Sequence, residues 1–410
     1  MNIDCNFIAS ASWAGDQMTE RLTVLREEEP IYWSEESEIW IITRYRDLEF
    51  ISKHQEFFTS EFGIRAGTSV KAGLIDEGEP RHSFLRGKIG RGFTPRMVKK
   101  LEIKFREMVT TAIDKIANSG ECDFVEAVSK PLPILLIADM MGVPQVDHKQ
   151  YADWSDTLVA ADGNYDDPDI LAKSGEALVE YGAYMRELIE AKRKDPADDL
   201  ISILLSAKDD GLLTEAFTNE RTMKNQTEEF NELASDELIM LLVVLMIAGN
   251  ETTRNGISGG MQLLIENPAE RQKLIDDPSL IPGAVEEMLR LVTPVKSFGR
   301  TLTQDYEFGG KQLKKGQMVC MMYGPANRDP DVIEDPDAFR VERRPHHLAL
   351  GVGPHFCLGA SLARMELRVV FEEILRRLPD IEYSRGGPEF TPSALVRACS
   401  SMWVRYTPAG

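Results

Sequence analysis

The chain has 410 residues, with 47 Lys and Arg against 67 Asp and Glu, and therefore a formal net charge of −20 at pH 7. Hydrophobic residues make up 43% and charged residues 28% of the sequence, which is typical of a folded globular protein and excludes disorder over most of the chain. The acidic balance excludes general nucleic-acid binding, because a net negative field repels a polyanion.

The cysteines and the apolar segments indicate the cellular compartment. Five cysteines are scattered along the chain without a CxxC pair, which argues against a disulfide framework or a zinc ribbon and fits a reducing compartment. The first residues lack the basic start and apolar run of a signal peptide. The longest apolar stretch, residues 238–249, is shorter than the roughly 20 residues that span a bilayer. We therefore expect a cytoplasmic protein with no membrane insertion.

Apolar periodicity predicts a mainly α protein with a smaller β portion. Residues 31–33 and 39–43 are rich in β-branched and aromatic side chains and predict a β-hairpin. Further short strands are expected within residues 306–321 and 402–406. Apolar residues at helical spacing recur between these regions. They cover residues 97–117, 132–141, 167–194, 199–206 and 282–292.

The domain organisation follows from the absence of internal boundaries. No repeat and no Gly/Ser-rich linker divides the sequence, so residues 1–410 are predicted to form a single domain. Residues 207–233 are polar and lack a continuous apolar face, and we interpret them as a surface insertion.

The helix predicted for residues 235–266 combines a buried pattern with polar residues at its centre. It begins at an N-cap serine and ends before an Asn-Pro pair. Residues 239–247 are apolar on nearly every side, so the helix must run through the core. Gly249, Glu251 and Thr252 weaken helical propensity in its middle. Such a break in a buried element is where a functional site is expected.

Cys357 is the one cysteine whose surroundings suit a metal ligand or a nucleophile. It follows the glycine-rich residues 350–356 and precedes a predicted helix over residues 360–377. A thiol at a helix N-terminus is expected to have a lowered pKa, because free N–H groups and the helix dipole stabilise the thiolate. The competing interpretation is an inert, buried cysteine in a glycine-rich turn.

Two pairs of charged residues lie at helical spacing. Glu287 and Arg290 are three residues apart and can pair on one helix face. His82 and Arg86 are four residues apart and can hold an anion together. Each pair taken alone is also typical of a solvated helix face.

Taken together and in this order, the four motifs resemble the cytochrome P450 family of haem-thiolate monooxygenases, and the resemblance covers nearly the whole chain. It implies the P450 fold, which is helix-rich and triangular prism-like, with a long central helix over the haem. It also implies a monooxygenase that inserts one oxygen atom of O2 into a lipophilic small molecule.

The resemblance implies haem b as the cofactor and Cys357 as the fifth ligand of its iron, a position where a thiolate favours O–O cleavage. The family loop usually begins with Phe, and Leu350 departs from that pattern and from the usual packing beside the thiolate. Buried haem propionates need cationic or hydrogen-bonding partners. The partners implied by the resemblance are His82, Arg86, Arg300 and His355.

Three residues of the central helix resemble the oxygen-activation site of the family. Gly249 would leave room for dioxygen, and Thr252 would hydrogen-bond to it. Glu251 would relay protons from solvent, because cleavage of the O–O bond needs protons delivered in sequence.

The Glu287–Arg290 pair resembles the structural ion pair of the family. The resemblance implies that Arg343 completes it, with Arg344 as the less suitable substitute. Its role would be to hold the loop that presents Cys357.

Several apolar segments resemble those that contact substrate in the family. Residues 249–255 and 294–295 resemble members that oxidise sterols, terpenoids or branched lipids, which favours a steroid, terpenoid or lipid-like substrate. A small aromatic or another secondary metabolite is the alternative. The candidate lining residues are Leu74, Ile75, Leu158, Val159, Val243, Val295, Phe298 and Leu395.

The sequence contains no flavin or iron–sulfur motif, so the resemblance implies electrons from a separate ferredoxin and its NAD(P)H-dependent reductase. The enzyme is expected to be a monomer. Because ferredoxins are typically acidic, we expect a basic surface on the side of Cys357. Its candidate residues are Arg96, Lys99, Lys100, Arg340, Arg344 and Arg364.

Two other classes of protein are alternatives. A haem-binding sensor without turnover needs no proton relay, and the Glu251–Thr252 pair therefore argues against it. A zinc site of histidines and Cys357 lacks the spacing usual for tetrahedral sites. The histidines of that site would be His346, His347 and His355.

Overall fold

A computed structural model describes residues 4–68, 71, 73–161, 164, 167–209 and 229–408. This part of the chain contains thirteen α-helices. They are α1 Gln17–Glu28, α2 Tyr45–Lys53, α3 Arg81–Ile89, α4 Pro95–Ile116, α5 Pro131–Met141, α6 His148–Ala161, α7 Pro168–Lys194, α8 Leu200–Asp209, α9 Glu229–Glu266, α10 Pro268–Asp276, α11 Ile281–Val292, α12 Tyr323–Ala326 and α13 Ala360–Arg377.

The strands of the described residues are short and form one larger sheet and three small ones. They are β1 Ile31–Ser34, β2 Ile39–Ile42, β3 Phe58–Thr59, β4 Glu121–Asp123, β5 Ser297–Leu302, β6 Tyr306–Phe308, β7 Lys311–Leu313, β8 Met318–Met322, β9 Glu382–Tyr383, β10 Glu389–Thr391, β11 Ala398–Ser401 and β12 Trp403–Arg405. The larger sheet has five strands in the order β1-β2-β8-β5-β3. Its β2 and β8 strands run parallel, and its other neighbours are antiparallel.

The predicted mixture of many helices and few strands is confirmed. The expected hairpin is β1–β2, with Ile31 opposite Ile42. The predicted helices correspond to α4, α5, α7, α8, α11 and α13, within a few residues of the expected ends. Within the described ranges, no helix is both long enough and apolar enough to cross a membrane.

Helix α9 is longer than predicted at its N-terminus. It begins at Glu229, so Ser235 is an interior residue and the predicted N-cap is wrong. Residues 229–234 contain good helix formers, and a serine is tolerated inside a helix, so nothing in this stretch stops the helix. Most of the predicted insertion, residues 207–233, lies outside the described residues, which end at Asp209 and resume at Glu229.

The main apolar core surrounds α9, which packs on α5, α11 and α13. Two glycines allow this close packing. A Cβ on Gly259 would lie 2.6 Å from Val292 Cγ1, and one on Gly260 would lie 2.5 Å from Phe371 Cζ. Because protein interiors have few voids, a larger residue at either position would push α9 away from its neighbours. Glycine lowers the stability of a helix, and at these two positions the close packing of α9 on its neighbours offsets that loss.

Two smaller apolar clusters cover the faces of the five-stranded sheet. One lies between the sheet and α2 and includes Trp40 and Ile42. The other joins the N-terminal residues and α1 to Ile39 and Ile41 on the opposite face. This alternation along β2 follows from the two-residue period of a strand.

A buried ion-pair network links α11 to the chain that leads to Cys357. Both terminal oxygens of Glu287 accept hydrogen bonds from Arg290 at 2.7 Å, and Arg343 Nε lies 3.2 Å from Glu287 Oε1. Arg290 also donates to the carbonyl of Asn327. The side chain of Asn327 in turn accepts from the backbone N–H of Leu348. The predicted structural role of this group is confirmed, with Arg343 rather than Arg344 as its third member.

Candidate active site

A cavity with an empty volume of about 1560 Å³, part of it open to solvent, is lined by α9 and by residues 348–359, the Cys357 loop. Other parts of its wall come from α3, α13, β5 and the segment between α11 and β5. Most of the side chains that line it are apolar, and its polar groups lie mainly near Cys357.

Backbone contacts close the Cys357 loop and direct it to the cavity. The N–H of Cys357 donates to the carbonyl of Leu350 at 2.8 Å. Any residue can accept through its carbonyl, so Leu in place of the family Phe leaves this turn intact. Gly351 and Gly353 have φ angles of 70° and 76°, and a Cβ on Gly353 would lie 2.7 Å from the carbonyl oxygen of Ser52. The turn therefore requires glycine at position 353.

The protonation of the Cys357 thiol differs from the expectation of a lowered pKa. Burial raises the pKa of Cys357, and the Gly359 N–H, Arg86 and Arg364 lower it only in part. The prediction is wrong because desolvation of a thiolate outweighs the electrostatic effect of the helix start. A metal ion on the sulfur reverses this balance, since a coordinating thiol is deprotonated outright.

Two arginines, the half-buried Arg86 and the buried Arg300, line the cavity. Arg300 is 4% exposed and donates to the neighbouring Gly299 carbonyl. The acid that acts on Arg300, Asp76, already accepts from the Ile64 N–H. Within the described part of the chain, Arg86 forms no hydrogen bond or ion pair. Burial lowers the pKa of both arginines, and for Arg300 this effect outweighs the attraction of Asp76.

Two histidines stack beside these arginines, with ring centroids of His82 and His355 3.8 Å apart. Burial lowers the pKa of His82, and it lowers that of His355 to about 2. Glu79 bonds to His82 Nδ1 at 3.0 Å, and Ser60 bonds to His355 Nε2 at 3.2 Å. The opposite nitrogen of each ring is therefore left to contact a ligand. The carboxyl and hydroxyl partners were not predicted from the sequence.

The positions of these side chains suit one kind of ligand. A thiol and four nitrogen donors converge on a common cavity. The buried Arg300 and the half-buried Arg86 need anionic partners to offset their desolvation, and the thiol needs a metal ion to be ionised. A metal-bearing cofactor with carboxylate groups meets both requirements.

The face of α9 toward the cavity includes Thr252, whose hydroxyl donates to the Ala248 carbonyl at 2.7 Å. With its proton directed to that carbonyl, the oxygen of Thr252 is an acceptor toward the cavity. Gly249 also lines the cavity, but a Cβ there would lie 2.5 Å from Ile137 Cδ1. Glycine at position 249 therefore leaves room for α5 to pack closely on α9. This packing contact was not predicted from the sequence.

Glu251 points away from the cavity and is 5% exposed. Its Oε1 accepts from Asn255 Nδ2 at 2.7 Å, and its Oε2 lies 3.4 Å from Arg254. Both partners are fixed on the backbone of Cys399 in β11, whose N–H donates to Asn255 and whose carbonyl accepts from Arg254. Glu251 and Thr252 are adjacent in sequence, but Glu251 faces β11 whereas Thr252 faces the cavity.

The cavity wall confirms half of the predicted lining residues. Leu74, Ile75, Val295 and Phe298 line the cavity. The other four predicted residues do not line it. Leu158, Val243 and Leu395 are buried in the core, and Val159 lies on α6 away from the wall. The α9 residues that line the cavity precede Thr252 at helical spacing and therefore share its face of the helix. They are Leu241, Val244, Leu245 and Ala248.

A further buried acid, Glu366 on α13, lines the cavity and was not predicted. It is 1% exposed, and its Oε2 has no hydrogen-bond partner among the described residues. Burial raises the pKa of Glu366 well above its usual range. Desolvation therefore favours the neutral, protonated form of this acid. Its spacing of nine residues from Cys357 was the available signal.

The zinc alternative fails on geometry. Over the described ranges, no group of three or more His, Cys, Asp or Glu side chains is placed to hold a metal ion. His347 instead bonds to Glu286 at 3.2 Å, and His355 stacks on His82.

Comparison with known proteins decides the family. The cytochrome P450 profile matches residues 7–392. This chain is a cytochrome P450. A steroid C26-monooxygenase of Mycolicibacterium smegmatis is 33% identical over 408 residues, which are 99% of this chain and 97% of that protein.

Two more relatives support the assignment to the P450 family. A methyl-branched lipid omega-hydroxylase of Mycobacterium tuberculosis is 35% identical over 357 residues, covering 83% of this chain and 78% of that protein. The crystal structure of a Bacillus megaterium P450 in complex with testosterone has a TM-score of 0.81 and 31% identity, covering 95% of this chain and 99% of that one.

The family determines the reaction class. This P450 is a haem b enzyme and a monooxygenase of lipophilic substrates, and it receives electrons from a redox partner. The described residues fit that cofactor. Cys357 would ligate the iron, and the arginines and histidines around it would hold the two propionates.

Proposed function

We propose that this P450 inserts one oxygen atom of O2 into a steroid, a terpenoid or another branched lipid. The observation that carries the proposal is the chemistry of the cavity wall formed by α9, residues 74–75 and residues 294–298. Among the described residues of these segments, those that line the cavity carry no charged side chain, and Lys296 is not one of them. A wall of this kind selects ligands by apolar burial and shape. The relatives named for steroids and methyl-branched lipids support the same substrate class.

The substrate class can be tested by titrating the ferric enzyme with testosterone, a methyl-branched fatty acid and naphthalene. We expect the steroid or the branched lipid to shift the Soret band from low to high spin, and to yield a hydroxylated product with NADH, ferredoxin and reductase. Replacing Val244 by Phe should weaken this binding by about tenfold, because the larger ring would take up cavity space that the ligand needs. Val179→Phe on the exposed face of α7 is the matched control. Binding of naphthalene alone would favour the aromatic alternative, and binding without turnover would favour a sensor.

We assign proton delivery to Thr252 and Glu251. The oxygen of Thr252 would accept a hydrogen bond from a protonated ligand or a water molecule in the cavity. This bond would keep the donated proton in place. Glu251 would supply protons from the side of β11, which requires its carboxylate to leave Asn255 and Arg254 or to act through a water molecule. Its present hydrogen bonds support a gated donor, because both partners must release it first.

The Thr252→Ala variant tests this assignment. We expect the product formed per NADH to fall roughly tenfold while peroxide release rises, because the proton would no longer be delivered to the correct oxygen. Thr252→Ser keeps the hydroxyl and should retain most of the coupling. The measurement is the ratio of product to NADH consumed. Unchanged coupling in the alanine variant would remove Thr252 from proton delivery.

We propose a ferredoxin and its NAD(P)H-dependent reductase as the electron source. Three of the six candidate basic residues have an acidic partner in the described residues, which reduces the expected positive field. Lys100 pairs with Asp198, Arg340 with Asp335, and Arg364 with Glu286. The available basic surface therefore consists of Arg96, Lys99 and Arg344.

The cytoplasmic location remains a prediction.

Reversing charge in the Arg96→Glu/Arg344→Glu double variant should slow reduction by ferredoxin about tenfold at low salt, with the difference disappearing at high salt. The control is Arg405→Glu on β12, a site outside this surface whose arginine pairs with Glu382. Stopped-flow reduction under carbon monoxide measures the rate. Equal rates for the double variant and the control at low salt would contradict the docking surface.

A further inference from the structure

The N-terminal residues 6–13 contact two segments that border the cavity. The side chain of Ile8 lies against Gly67, where a Cβ would be 3.3 Å from Ile8 Cδ1. Further along, the ring of Trp13 faces Lys296, whose Nζ is 4.6 Å from the ring centroid. A hydrogen bond from Trp13 Nε1 to the Phe7 carbonyl at 3.0 Å fixes the orientation of the indole.

Lys296 joins Trp13 to the loop that precedes β11. Its Nζ donates to the Ser393 carbonyl at 2.7 Å, and its backbone N–H donates to the Leu395 carbonyl. Burial and the nearby Arg397 lower the pKa of Lys296 to about 8, so the side chain is mostly cationic at pH 7. A cation over an indole face is attracted by the ring quadrupole, most strongly when it is desolvated.

Both contacted segments connect directly to the cavity wall. Val295 and Phe298 flank Lys296 and line the cavity, and Val295 forms a β-bridge with Val396. On the other side, the Ile64 carbonyl next to Ala66 and Gly67 accepts from the Gly299 N–H. Displacing the N-terminal residues would thus loosen two segments that support the wall residues Val295 and Phe298.

We propose that residues 6–13 form an N-terminal clasp that holds residues 62–68 and 393–397 together at the cavity, with Trp13 and Lys296 as positioning residues for substrate binding. The clasp deepens the proposed function and rests on it, since it concerns how the same cavity retains a large apolar ligand. Neither residue touches the ligand. The Trp13–Lys296 contact sets how firmly these two segments support the wall, and therefore how well a bulky ligand is enclosed.

The test compares a large and a small azole, because both bind at haem iron without turnover. Clotrimazole is bulky enough to need contacts with the cavity wall, and imidazole is too small to depend on them. We expect Trp13→Leu and Lys296→Met each to weaken clotrimazole binding about 3- to 10-fold at pH 7, the range that one cation–π contact supplies, and to change imidazole binding less than twofold. Trp13→Phe keeps an aromatic face and should restore most of the affinity.

Two controls separate the clasp from a general loss of stability. Lys311→Met removes a lysine that pairs with Glu29 elsewhere, and it should leave both azoles unaffected. The double variant Trp13→Leu/Lys296→Met should lose no more affinity than Lys296→Met alone, since Lys296→Met already removes the Trp13 contact together with the hydrogen bond to the Ser393 carbonyl. Hydrogen exchange of the holoenzyme should rise in residues 62–68 and 393–397 and stay unchanged in α11.

Unchanged clotrimazole binding, an equal loss for both azoles, or a phenylalanine variant as weak as the leucine variant would overturn the clasp. Hydrogen exchange that is unaltered in the two segments would also overturn it. Failure of the wild-type enzyme to bind either azole would instead contradict the proposed haem cavity, and the exchange data would then decide the clasp alone.

Discussion

The structure depends on positive charge that lies beside a cavity and is only partly neutralised by carboxylates of the protein. Arg300 is buried and Arg86 is half-buried, so water cannot solvate either of them fully, and the acid near Arg300, Asp76, already accepts a hydrogen bond from the Ile64 N–H. Leaving such charges unpaired is costly, so the folded protein requires an anionic ligand at this site. Haem b brings two propionates and an iron ion, and the iron also meets the need of Cys357, whose thiol burial keeps protonated. Cofactor binding and stability of the fold are therefore coupled.

The rest of the architecture keeps this ligand set in place. The Glu287–Arg290–Arg343 group anchors the chain that becomes the Cys357 loop. Helix α9 carries the opposite wall, and its glycines allow α5, α11 and α13 to approach closely. Its polar residues serve two sides of the helix, with Thr252 toward the cavity and Glu251 toward β11. Under the proposed roles of these two residues, this separation of the acid from the hydroxyl would let the contacts of Glu251 control proton supply.

Local sequence signals predicted the site residues better than the cavity wall. The Cys357 loop and α13 were found because glycine turns and helix starts depend on neighbouring residues. Val243 was chosen as a lining residue although Val244 lines the cavity, because hydrophobicity does not say which face of a buried helix meets a void. The packing of Gly249 on Ile137 and the contact of Trp13 with Lys296 join residues far apart in sequence. Such contacts depend on tertiary structure and leave no local pattern.

The most direct test of this account compares the binding of haem b and of its dimethyl ester to the apoprotein. Esterification removes both negative charges and leaves the iron and the ring unchanged. The account predicts that the free acid binds at least about 100-fold more tightly, because breaking a buried charge pair is strongly unfavourable. In an Arg86→Leu/Arg300→Leu variant the difference should shrink to about tenfold or less. Equal affinity of the wild-type apoprotein for the two compounds would contradict the account.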